Sequence, residues 1–185
     1  MNVSLSCSLF KFKRAHFYFM AVFLLAALSS SFITPAYSVE VHPSHLTPST
    51  DTSPVLTLVT PNQEISISMA QIESLPLFET EEMRHFDGPE GRFSGVWLDD
   101  FLIKYGLNDV PRLRFIAIDG YEVFIQKENR EKNRYLMATR LNSRFITPEN
   151  LGPLMLIIPS DVGLAHHLSE SKNYWIWAIN EIVVQ

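Results

Sequence analysis

Residues 151–167 read LGPLMLIIPSDVGLAHH. Five apolar residues, 154–158, are fenced by Pro153 and Pro159. A run of that length is a buried strand rather than a helix, and Pro159 stops it because proline cannot donate to a ladder. The chain then opens into a polar loop that ends in His166-His167. Two readings follow: a histidine-bearing site at a strand end, or a core strand with a solvated turn. Adjacent side chains of an extended segment point to opposite sides. His166 and His167 therefore cannot both face one metal, although one could line a pocket.

Upstream, residues 1–38 carry the marks of a signal peptide. KFKR (11–14) is a basic segment, FYFMAVFLLAALSSSFI is apolar, and PAYS places the small residues Ala36 and Ser38 before VE. An uncleaved membrane anchor is the alternative, but Ser29, Ser30 and Ser31 dilute the apolar stretch. Cleavage there leaves 12 basic against 20 acidic side chains, a net charge of −8. So acidic a domain lacks the positive footprint that phosphate backbones require, and nucleic acid is not an expected partner. The chain's one cysteine, Cys7, leaves with the signal segment. The remainder must then be stable without disulfides, and its length suffices for one core.

Residues 39–54 (VEVHPSHLTPSTDTSP) are rich in Pro, Ser and Thr and are expected to form a flexible linker. The folded domain is expected over 55–185. VLTLV and EISISM alternate as strands about the turn TPNQ. Ser68 then opens a capping-box pattern, S-M-A-Q, for a short helix. LFET reads as a strand and EEMRHFDGPEGR as a polar loop. In VWLDDFLIKYG, Leu98, Phe101, Leu102 and Tyr105 fall on one helical face, and Gly106 can take the left-handed cap. RFIAIDGYEVFIQ is a hairpin about Asp119-Gly120, and KENREKNR is most simply a charged, solvated loop. A second hairpin turns at 141–143, and PLMLII and YWIWAINEIVV supply the last strands. Mostly β with short helices inserted, the chain reads as an α+β single domain.

FSGVWLDDFL (93–102), AIDGY (117–121), LGPLMLIIP (151–159) and WIWAINEIV (175–183) occur in that order. Together they resemble the sulfite-oxidase-type molybdopterin-binding domain, especially its small exported members. The resemblance spans roughly 55–185 and implies that fold. It departs from the family in two places. Met155 stands where the family has an arginine in G-P-L-R-L, and methionine cannot hold anionic groups by paired hydrogen bonds. Catalytic members hold molybdenum through a cysteine ahead of the F-x-G segment, and LFETEEMRHFDGPEGR contains none. The resemblance therefore implies the fold without the metal site.

Candidate ligand-binding residues lie near motif ends. Phe93, Trp97, Tyr121, Trp175 and Trp177 could stack on a planar heterocycle such as a pterin; Trp175 and Trp177 share one strand face, and each could instead be core. Asp119 could pair with the donor edge of a pterin or merely make a turn; Glu122 and Asp161 are alternative carboxylates. Arg140, like Arg92 and Arg144, could contact an anionic substituent or form a surface ion pair. His85 lies where the lost metal would have been, and His167 could line the same cavity. No zinc-ligand spacing, Ser-His-Asp order or phosphate loop is present.

The resulting expectation is a periplasmic pterin-binding protein, not an enzyme and without molybdenum. Its partner, implied by the resemblance alone, is the periplasmic domain of a membrane diguanylate cyclase or phosphodiesterase. Two alternatives stand beside it: a molybdopterin-dependent oxidoreductase or its subunit, and a ligand-free interaction module.

Overall fold

The computed structural model describes residues 39–84, 88–162 and 174–185. Residues 1–38, His85 and the pair His166-His167 lie outside them. In chain order the elements are β1 (Val41–Pro43), β2 (Pro54–Val59), β3 (Glu64–Ser68), α1 (Met69–Ile72), β4 (Phe78–Thr80), β5 (Met83–Arg84) and β6 (Glu90–Gly91). There follow β7 (Phe93–Trp97), α2 (Leu98–Lys104), β8 (Arg112–Ala117), β9 (Glu122–Gln126) and α3 (Lys127–Lys132). The remainder is β10 (Leu136–Leu141), β11 (Arg144–Phe145), β12 (Met155–Ile157) and β13 (Ile179–Val184).

Two sheets carry the fold, which is mixed and mostly β. One has six strands in the order β1-β4-β7-β10-β11, with β12 also paired to β10. The other has five, β3-β2-β13-β8-β9. The segment 154–158 sits where both of its faces are covered. Leu154, Leu156 and Ile158 enter one core cluster and Met155 and Ile157 the other. Strand side chains alternate, so a strand buried on both faces must be apolar at every position. That explains the unbroken run. The five-stranded sheet behaves differently: in β8 only Leu113, Phe115 and Ala117 are buried, a period of two with one wet face.

Local chemistry sets the helix ends. The Gln71 backbone N–H donates to Ser68 Oγ at 3.2 Å, and the Ser68 N–H donates to Gln71 Oε1 at 2.8 Å, completing the capping box of α1. Helix α2 buries Leu98, Phe101 and Leu102 and ends at Gly106, whose φ of 69° is the left-handed conformation glycine adopts freely.

Three expectations are corrected. Residues 39–54 are not a loose linker. β1 pairs antiparallel with β4, Val41 opposite Thr80, and Val39 is buried. Main-chain pairing needs few apolar side chains, which is why composition missed it. KENREKNR is not a solvated loop but mostly α3, supported by an i,i+4 Lys127–Glu131 pair at 3.8 Å. Its Arg130 turns inward and donates to the carbonyls of Val110 at 2.6 Å and Ile125 at 3.3 Å. Finally, YWIWAINEIVV is broken at Ala178, whose φ is 53°. Ile176 makes a single bridge to Leu156, and the regular strand starts at Ile179.

Candidate ligand-binding site

Three neighbouring strands present their ends together. Leu136 at the start of β10 is opposite both Trp97, the last residue of β7, and Ile157, the last of β12. The residues just beyond these ends therefore gather at one edge of the six-stranded sheet: Arg134 and Tyr135 before β10, and Asp161 after β12.

Trp97 is buried and packs its ring 5.5 Å from that of Phe78. The guanidinium of Arg134 lies over the indole at 4.1 Å from the ring centre, a cation–π arrangement. Trp175 packs against the same cluster as Trp97 and against the other core as well. Behind them is Tyr135, only 2% exposed. Burial, then the nearby Tyr174, raises the pKa of its hydroxyl well above the ordinary tyrosine value, and Asp161 adds to the effect.

Two donors at this edge stand out. The indole Nε1–H of Trp97 and the hydroxyl of Tyr135 are both buried and make no well-formed hydrogen bond to a described residue. The Asn133 side chain lies close enough to Tyr135 to offset its shift in part, without meeting good geometry. A buried donor without a partner costs about 1–3 kcal/mol, and such groups often mark a site that something else completes.

Next to this edge, a cavity of about 520 Å³ opens between α2 and α3. Asp99, Leu102, Arg130, Asn133 and Arg134 are among its lining residues, so Arg134 borders both the cavity and the indole. The volume is in the range of small-molecule sites. A second concavity, at the β10–β11 hairpin, is lined by Arg144, Phe145 and Asn150 among others.

Of the expected residues, the structure brings Trp97, Trp175 and Asp161 to this edge and places the others elsewhere. Phe93 is 1% exposed and packs within the core, away from the strand ends gathered at this edge. Arg140 is committed to a buried ion pair: its Nε donates to Glu73 Oε1 at 2.9 Å and its Nη2 to the Thr47 carbonyl at 2.8 Å. Asp119 makes a turn, accepting the Tyr121 N–H at 3.0 Å. Tyr121 and Trp177 are exposed, with Ile118 beside them, since the Ile118 N–H reaches the Ala178 carbonyl. His85 and His167 lie outside the described residues.

Sequence reading missed Arg134, Tyr135 and Asp99. Arg134 was hidden in a charged run, Tyr135 in an apolar strand, and Asp99 beside the acidic Asp100 at a helix start, where carboxylates are ordinary. Among the described residues, one group has metal-ligating proximity, Glu40, His42 and Glu81, all exposed on the β1–β4 pair. No protein-family model matches the chain, and no curated protein matches it.

Proposed function

We propose that this chain is an exported, non-catalytic pterin-binding protein built on the sulfite-oxidase-type molybdopterin-binding fold. The observation that carries the reading is the strand-end edge, where Trp97 and Tyr135 hold buried donors with no well-formed partner among the described residues, beside a guanidinium-capped indole. A planar heterocycle rich in ring nitrogens and a carbonyl supplies acceptors for the two donors. The order of the four motifs supports the fold assignment.

Molybdenum does not fit these residues. The stretch 77–92 contains a single sulfur, in Met83, and that side chain is buried in the core. A thioether there does not replace the thiolate that oxo-transfer enzymes of this type use. The protein's role is then to report ligand occupancy to the periplasmic domain of a membrane diguanylate cyclase or phosphodiesterase. Occupancy changes output only through different ligand affinity in the docked and free states. The exposed group Ile118, Tyr121 and Trp177 gives such a partner an apolar surface to meet.

The test is extraction of the protein purified from its own source, with fluorescence and mass analysis of the released material and metal analysis in parallel. About one pterin per chain and no stoichiometric molybdenum is the expected result. Molybdenum at about one per chain would overturn the non-catalytic reading. Failure of pterin to co-purify or to bind on titration would leave the interaction-module alternative in its place.

A further inference from the structure

Asp99 belongs to the first turn of α2 and lines the cavity between α2 and α3. Its carboxylate makes no hydrogen bond to any described residue. The two cations whose charge reaches it, Arg134 and Arg130, are directed elsewhere: Arg134 lies on the Trp97 ring, and Arg130 is spent on two backbone carbonyls. A helix-start acid commonly serves only the helix dipole. Here Asp100, the adjacent acid, already occupies the same turn. Partial burial raises the pKa of Asp99, a shift that the nearby charge of Arg134 only partly opposes.

We infer that Asp99 and Arg134 together read the edge of a 2-amino-4-oxo-pyrimidine ring, Asp99 taking its two neighbouring N–H donors and Arg134 its carbonyl. This rests on the pterin reading above and assigns its selectivity. A pterin presents, side by side, an exocyclic amine, a ring N–H and a carbonyl oxygen. A carboxylate beside a guanidinium is the complementary set, and charge-assisted pairs of this kind are strong and directional. Arg134 both lines the cavity and covers the Trp97 indole.

The experiment compares three probes on the purified protein by titration calorimetry: pterin, lumazine and guanosine. Lumazine replaces the 2-amino group of pterin by a second carbonyl, which sets an acceptor against the carboxylate. The unaltered protein is expected to bind pterin at least about tenfold more tightly than lumazine, the factor a buried mismatch of about 1.4 kcal/mol gives. Asp99→Asn should weaken pterin by about tenfold and erase the preference, whereas Arg134→Gln should weaken both ligands together. Pterin binding unaltered by Asp99→Asn, or equal binding of pterin and lumazine, would overturn the assignment while leaving the pterin reading intact. Guanosine carries the same edge, and tighter binding of guanosine than of pterin would overturn the choice of pterin as its source. If none of the three binds, the pterin reading falls and this inference with it.

Discussion

At the scale of single residues, Tyr135 offers a clean separation of folding from binding. Its hydroxyl has no well-formed partner among the described residues, so Tyr135→Phe removes an unsatisfied group and should leave the melting temperature unchanged or higher. Ligand affinity should fall several-fold, and a thermal melt paired with a pterin titration checks both. Alkali gives a second handle. Burial raises the folded-state pKa of this hydroxyl above its unfolded value near 10. Its contribution is therefore complete below about pH 10 and drains away as the pH climbs toward the folded value. Tyr135→Phe should flatten that alkaline loss. Glu73 is the opposite case. It is fully buried and accepts from Arg140, from Thr139 Oγ1 at 2.7 Å and from the Ser49 N–H at 2.7 Å. Glu73→Ala strands a buried guanidinium and should cost about 3–5 kcal/mol in denaturant unfolding. Asp119→Asn, by contrast, keeps a side chain that can make the same turn, and pterin affinity should not move.

Among the elements, the tightest demand falls at Gly95 in β7. A Cβ added there would run into the carbonyl oxygen of Met137 and the Cα of Ala138 on β10, next to the register shift between Ala138 and Arg140. Gly95→Ala should abolish folding or lower the melting temperature sharply, as read by circular dichroism, because the obstacle is backbone and cannot step aside. Legibility also varied by element, for identifiable reasons. α2, β8 and β9 declare themselves because their side chains alternate between oil and water with the period of their backbone. β12 could be recognised as buried from its unbroken apolar run. α3 could not, since what it buries is Arg130, held by carbonyls and invisible to hydrophobic periodicity. β1 escaped because hydrogen bonding between main chains leaves little trace in side-chain composition. The site was half legible: Trp97 and Trp175 follow from the motifs, whereas Tyr135 and Arg134 matter only because register sets them beside Trp97.

For the whole molecule, the notable pairing is between the two ends of the folded region. β13 lies between β2 and β8, parallel to the first and antiparallel to the second, with Ile182 opposite both Leu58 and Phe115. Deleting residues 179–185 should therefore prevent folding altogether rather than trim an edge. Loss of cooperative melting and rapid proteolysis of the shortened chain are the expected readouts, and a truncated chain that melts cooperatively would contradict this. The same placement governs timing. The centre of the five-stranded sheet comes later in the chain than both strand pairs it joins, and contacts so distant along the chain form slowly. Until residues 179–184 are made, the pairs β3-β2 and β8-β9 have no strand to join them. The five-stranded sheet stays open until then, and an open chain can still be threaded through a narrow pore.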